Sequence, residues 1–362
     1  MDTHNYLNGL SLANLVEYMS NNGSQHLAAL TQDEVVAQHV NIIDNEIPGD
    51  LYRFVAEALW ARLDPHIEGL SSADLKRKEA LIDDIINVKV RIDELKFADP
   101  ERQELLKVLA GLRYEATIEG DLAIVFWCRI KDLKKRRKIV KRNVLSIPYG
   151  ATPYGLGQQH IDDAGKIGIQ ELLAMEHAWC AFLGREVYET CVEKIPRLMR
   201  LLRLFESAGA KAEFETRFLT WIVPVTKFPV VQNYTQGTIK KVKIPYNTKI
   251  YQCNVSCPEC PIPLKGKQSR GASPNITHAL DAAHLMLVVN ACDFPVITVH
   301  DSYGSLAPDL GTLYQKVREQ FYRLHSKKPL EQIAMHIGMD IGDVDFGNYN
   351  IEEVLNSSYS FI

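Results

Sequence analysis

The spacing of apolar residues changes once along this chain, near Phe218, and that change limits the folds open to it. Before it, segments such as Asp50–Leu63 and Ala73–Phe97 place apolar residues three and four apart, the signature of helices with one buried face. Helical spacing continues to about Leu145 and resumes from Ile169 to about Ser207, a Leu-rich block that reads as scaffold. After it, Trp221-Ile222-Val223, Gly237–Ile244 and Thr248–Val255 follow a strand-like pattern. With Pro245-Tyr246-Asn247 between the last two, they predict a β-hairpin. Pro261–Ser273 reads as a loop, Ile276–Asn290 as a helix and Val296–Val299 as a short buried strand. The expected class is α+β, mainly helical.

At 362 residues with 46% hydrophobic content, the chain can bury a large core in two or three domains. No run of about 18 apolar residues appears, and Met1–Asn8 has neither the basic nor the apolar part of a secretory signal. No membrane association and an intracellular location are expected. Seven cysteines, an odd number scattered over the chain, do not form a disulfide framework. Cys253, Cys257 and Cys260 cluster with the spacing of one zinc knuckle, but no second pair follows; thiols in a hairpin or loop are the other reading.

The formal net charge of −4 conceals a concentration of positive charge: nine of the fourteen residues from Arg129 to Arg142 are Lys or Arg. Within and beyond that run, Arg137, Lys141, Leu145 and Tyr149-Gly150 recur every four residues, which places them along one helix face. Pro148 limits the helix, so Tyr149 falls just past its end. Two cations one turn apart suit the phosphates of a nucleotide, and an aromatic at the helix end suits a base or sugar. A solvated amphipathic helix is the competing reading. In Val296–Gly304 a strand delivers Asp301 to a turn. A rigidly placed carboxylate of this kind suits a pair of Mg²⁺ ions in phosphoryl transfer, or simply caps the turn.

These two stretches are also where the sequence resembles a known family. Lys141-Arg142-Asn143-Val144-Leu145-Ser146-Ile147-Pro148-Tyr149-Gly150 resembles motif B, and His300-Asp301-Ser302-Tyr303-Gly304 motif C, of the single-subunit RNA polymerases of bacteriophages and mitochondria. Gly23–Leu27 with Asp33-Glu34-Val35 is similar to the segment after the family's motif A aspartate. Pro274–Asp281 with His284-Leu285 is similar to the segment before motif C, and Asn350–Ile362 to the family's C-terminus. Nearly the whole chain is covered, in order.

The resemblance implies template-directed RNA synthesis by a two-metal, Mg²⁺-dependent route, with DNA template, RNA product and ribonucleoside triphosphates as partners. It implies that Asp301 binds the metals and that Arg137 and Lys141 contact the phosphates, Lys141 also donating a proton to pyrophosphate. Tyr149 and Gly150 hold the nucleotide, Tyr149 selecting ribose; His278 lies near the sugar and His300 supports the primer end. Lys240, Lys241 and Lys243 on the hairpin of about 237–255 are expected to contact DNA. The implied architecture is a partial right hand lacking thumb and N-terminal domain: palm over 1–47 and 278–362, fingers over 48–277.

One position departs from the family. The residue matching its second metal-binding carboxylate, seven before Gln25, is Tyr18. Glu17 is one residue away and is a candidate substitute as metal ligand, although a one-residue shift in a strand moves a side chain to the opposite face. The expectation is a split enzyme in which a second polypeptide supplies the thumb, the upstream palm and the missing carboxylate. A catalytically inactive, nucleic-acid-binding remnant is the alternative. Location follows the source: host cytoplasm for a phage protein, or an organelle.

Overall fold

The computed structural model describes residues 16–20, 23–164, 166, 176–235, 238–246, 249–257, 262–299 and 301–361. In chain order the elements are β1 (Val16–Ser20), α1 (Gly23–Thr31), α2 (Glu34–His39), α3 (Leu51–Glu68), α4 (Ser72–Glu94), α5 (Pro100–Glu119), α6 (Leu122–Cys128), α7 (Leu133–Ser146), α8 (Pro153–Asp163), α9 (His177–Lys194) and α10 (Pro196–Phe214). Then follow β2 (Thr220–Ile222), β3 (Pro229–Val231), β4 (Thr238–Tyr246), β5 (Lys249–Cys257), α11 (Lys267–Ala291), β6 (Ile297–Val299), β7 (Ser302–Leu306), α12 (Leu310–His325) and α13 (Pro329–Ile337). Among the described residues the strands form three small antiparallel sheets, β1-β7-β6, β2-β3 and β4-β5. The protein is mostly helical with little sheet, consistent with the α+β expectation. No helix of the described residues is long and apolar enough to cross a membrane.

Local sequence sets many of the helix starts. Asp50, Ser71, Asp99, Asp132 and Thr152 each accept a backbone N–H of the first turn they precede, capping α3, α4, α5, α7 and α8. Such caps satisfy donors that the helix itself cannot reach.

The chain divides into two compact units, one of residues 1–49, 148–150 and 197–362, the other of residues 50–147 and 151–196. The second is helical. Its core centres on buried Trp60 and Trp127, whose indole N–H groups donate to the carbonyls of Trp127 (3.2 Å) and Trp179 (2.9 Å). Helices α8 and α9 approach closely because both carry glycine at the crossing: a Cβ on Gly184 would lie 2.8 Å from the Gly157 Cα.

In the first unit, β7 lies between β1 and β6. Tyr303 on β7 is buried, as are His284 on α11, Phe321 on α12 and Phe361 near the C-terminus. The C-terminal segment is tied to the chain after α2 by Tyr349, whose hydroxyl donates to the Ile42 carbonyl (2.9 Å), and by Ser357, which donates to Asn41 O (2.7 Å).

Two sequence expectations need correction. The Val296–Val299 strand, expected to be buried, is an edge strand with Ile297 and Thr298 exposed; its apolar residues signal β-propensity, while the burial falls on Tyr303 of the neighbouring strand. Residues 267–273, expected to be loop, are the first turns of α11. The cap there is not local: the Glu213 carboxylate, from α10, accepts the N–H groups of Gly266 (2.8 Å), Gln268 (2.7 Å) and Ser269 (3.2 Å). The helix also runs through Pro274, which removes one hydrogen bond and would ordinarily mark an end.

Candidate active site

Arg137 and Lys141 lie in the second unit; Tyr149, Gly150, His278 and Asp301 lie in the first. In the first unit, β6 and β7 form a hairpin in which Val299 pairs with Ser302. Asp301 lies in the turn between them. Asp301 is half-buried at that apex, and His300 is outside the described residues. The strand after Asp301 is anchored by Tyr303, which is fully buried with its hydroxyl 3.4 Å from His284 Nδ1. Burial pushes the Tyr303 phenol well above its usual range, so it stays neutral.

β1 pairs with β7 along its length, Ser20 opposite Ser302, Tyr18 opposite Gly304 and Glu17 opposite Ser305. The segment carrying the motif A-like position thus belongs to the same sheet as Asp301. Adjacent residues of a strand belong to opposite faces, so Tyr18 and Glu17 are not equivalent positions. Among the described residues no group of three or more His, Cys, Asp or Glu side chains is placed to hold a metal ion. Asp301 nonetheless offers the hard oxygen donor that Mg²⁺ takes, and Mg²⁺ often uses one or two carboxylates with substrate phosphates and water completing its shell.

Tyr149 closes a 3₁₀ turn (Ile147–Tyr149) directly after α7, as the Pro148 argument predicts. Its ring stacks on that of His278, centroids 4.6 Å apart and planes 21° from parallel. Its hydroxyl accepts the N–H of Gly23 at 3.2 Å. Gly23 fits only because it lacks a side chain: a Cβ would meet Thr277 Cγ2 at 2.7 Å and Tyr149 Oη at 3.0 Å. The Pro148 carbonyl accepts from Ser273 Oγ (3.0 Å), and Gly150, at φ +78°, turns the chain in a conformation that favours glycine. His278 is exposed and, with Phe228, Val231, Tyr234 and Asn275, lines a groove of about 290 Å³. Asn275 Nδ2 there donates to Tyr234 Oη (2.9 Å) and Gln232 Oε1 (3.0 Å).

Behind this surface lies a buried polar chain that sequence reasoning did not assemble. His26 Nδ1 and His325 Nε2 are 2.9 Å apart, and His26 Nε2 is 3.6 Å from Asp281 Oδ1. Burial raises the Asp281 carboxyl, but the hydrogen bond with His26 and the neighbouring imidazoles outweigh it and hold the carboxyl below its ordinary value. His26 and Asp281 stand in stretches singled out above. His325, 299 positions from His26, had no signal.

In the second unit the cationic run separates by role. Arg136 is buried: its guanidinium makes two 2.9 Å hydrogen bonds to Asp64, a third to the Ile130 carbonyl (2.6 Å), and lies 4.9 Å over Trp60. Arg129 pairs with Asp83 (2.8 Å) and Arg142 with Asp163 (2.6 Å). Of these, the buried Arg136 is an architectural contact. Arg137 and Lys141, one turn apart on α7, converge instead on the ring of Tyr52, 5.5 Å and 5.7 Å from its centroid. Arg137 Nε also pairs with the Asp50 carboxylate. Asp50 and Tyr52 were missed because they lie in a different helix start, 87 residues before Arg137 in the case of Asp50.

The expected hairpin is present as β4-β5, with Lys240 opposite Val255, Lys241 opposite Asn254 and Lys243 opposite Gln252. All three lysines are exposed, as are Val242, Ile244, Ile250 and Tyr251. Cys253 is exposed on β5; residue 260 and the Cys257 side chain are outside the described set, so the cysteine question falls there too.

An aspartate in a hairpin turn and a cation-bearing helix followed by a tyrosine are the features by which the sequence resembles one family, and comparison with known proteins bears that resemblance out. The pattern of the family described as DNA-dependent RNA polymerase matches residues 18–346. The chain belongs to this family, in its single-subunit phage and organellar branch. It is 27% identical over 320 residues to the mitochondrial DNA-directed RNA polymerase of Mus musculus, covering 86% of this chain and 21% of that protein. It is 25% identical over 353 residues to DNA-directed RNA polymerase 2, chloroplastic/mitochondrial, of Arabidopsis thaliana, covering 94% and 29%. With the DNA-directed RNA polymerase of Pseudomonas phage phiKMV the identity is 23% over 226 residues, covering 61% and 27%. The chain therefore spans less than a third of the length of these relatives.

Proposed function

We propose that this chain carries the nucleotidyl-transfer chemistry of a DNA-directed RNA polymerase and works in concert with the parts that its longer relatives carry in one polypeptide. The observation that supports this best is the β6–β7 hairpin, which presents Asp301 at its apex with Tyr303 buried behind it. Asp301 would hold Mg²⁺, which when bound activates the attacking 3′-hydroxyl and steadies the pyrophosphate. Arg137 and Lys141 bind the phosphates of the incoming ribonucleotide. Lys141 is also the proton donor to the leaving pyrophosphate. Tyr149, stacked on His278 and accepting the Gly23 N–H at its hydroxyl, is held in orientation and so discriminates at the sugar.

The palm in this reading comprises 1–47 and 278–362, the fingers 48–277, and the β4-β5 hairpin reaches DNA through Lys240, Lys241 and Lys243. The partners are DNA template, RNA and ribonucleoside triphosphates, together with a second polypeptide that supplies the remaining carboxylate. The site of action is intracellular, in a phage host's cytoplasm or an organelle. Asp301→Ala is the direct test. It removes a metal ligand and few phosphate contacts, so RNA synthesis should fall by about a thousandfold or more while DNA affinity stays nearly unchanged. Undiminished synthesis by that variant would refute the assignment.

A further inference from the structure

One of the two cations assigned to phosphate, Arg137, is already paired with a carboxylate. Asp50 precedes α3 and divides its carboxylate: Oδ1 accepts the Arg53 N–H at 3.0 Å, and Oδ2 takes Arg137 Nε. The first bond is a helix cap and does not depend on Arg137. The Arg53 side chain is engaged elsewhere, with Glu57 at 2.8 Å. Asp50 is thus held in place by the helix whether or not Arg137 remains on it.

The pair differs from its neighbour in sequence. Arg136 and Asp64 form a forked pair whose arginine is 11% exposed, beside a tryptophan, which is a fixed structural contact. Arg137 and Asp50 are 36% and 26% exposed, within reach of water and of a competing anion. A partly exposed ion pair is cheap to exchange. Tyr52, two residues into the same helix start, has both Arg137 and Lys141 over its ring, an attraction that does not pass through the carboxylate.

We infer that Asp50 is an internal competitor at the phosphate site, a carboxylate standing where a phosphate oxygen of the nucleotide binds, so that only a polyanion with several contacts displaces it. The inference rests on the phosphate role proposed for Arg137 and Lys141. It makes Asp50 a specificity-determining residue, acting through Arg137: weak anions such as a single phosphate are kept off the cations, and a triphosphate is admitted.

Calorimetric titration of the full chain with inorganic tripolyphosphate tests this without requiring RNA synthesis. Asp50→Asn retains the cap, since Asn serves nearly as well there, and removes the charge; thermal melting should confirm an unchanged fold. Tripolyphosphate should bind Asp50→Asn about threefold to fivefold more tightly than the unaltered chain, the scale of an exposed ion pair. Inorganic phosphate, which has fewer contacts to set against the carboxylate, should gain by a larger factor than tripolyphosphate; an equal gain for both would remove the specificity role. Tyr52→Leu should weaken tripolyphosphate binding and Tyr52→Phe should retain it. Equal or weaker binding by Asp50→Asn, or no binding by either protein, would overturn the inference. If Arg137→Ala and Lys141→Ala both leave tripolyphosphate binding unchanged, the phosphate role itself fails. If they weaken it while Asp50→Asn is neutral, only the competitor role fails.

Discussion

Lys141 has one consequence that separates it from the other cations of its helix. Arg136, on the same helix, is buried against Asp64, and its loss should cost stability rather than substrate. Lys141→Ala should instead raise the nucleotide KM about tenfold to a hundredfold, the value of a charge-assisted hydrogen bond to phosphate, with melting temperature little changed. Steady-state kinetics against ribonucleotide concentration checks this; an unchanged KM would argue against the phosphate role. Tyr149 offers a sharper discrimination. Tyr149→Phe keeps the ring on His278 and deletes only the oxygen that receives Gly23 N–H. Preference for ribo- over deoxynucleotides should fall about fivefold, roughly the worth of one hydrogen bond. Unchanged sugar selectivity would remove Tyr149 from that role.

The elements show where sequence reading reaches and where it stops. The α7 stretch was legible because its information is local: four-residue spacing fixes the face, and Pro148 fixes the end. The β4-β5 hairpin was legible for the same reason, since alternation and a turn suffice. The start of α11 was not, because its cap comes from Glu213, 53 to 56 residues away. The Tyr52–Asp50 platform and the His26–His325 contact were likewise invisible, being meetings of distant segments. The hairpin carries its own prediction. If Lys240, Lys241 and Lys243 touch DNA phosphates, replacing all three with Ala should reduce the slope of log affinity against log salt by about 0.9 for each phosphate no longer neutralised. A slope unaltered in fluorescence anisotropy would show that they face only solvent.

At the scale of the whole molecule, buried histidines couple folding to pH. Burial pushes His160 down to about 3 and, with the charge of His26, His284 to about 3; His325 is also lowered well below its ordinary value by burial and its histidine neighbours. In the unfolded chain these imidazoles titrate near 6.5. Between that value and about 3 the unfolded state binds more protons, so stability is full above pH 6.5 and declines as pH falls below it. Each such group adds at most about 1.4 kcal/mol per pH unit to that slope. Melting temperature should therefore drop from pH 7.5 to pH 5, and His160→Phe should flatten the drop if the ring is accommodated. A melting temperature unaffected by acid would contradict the buried neutral state.

The residues to which the proposed function assigns roles fall in both units, Asp301, Tyr149 and His278 in one and Arg137 and Lys141 on α7 in the other. The most direct measurement is extension of a primed RNA on a DNA template with Mg²⁺ and ribonucleotides, by the chain alone and then with protein that co-purifies with it. The account predicts template-directed extension once the partner is added, lost in Asp301→Ala. No extension under either condition would contradict it and leave a protein that binds nucleic acid without synthesising RNA.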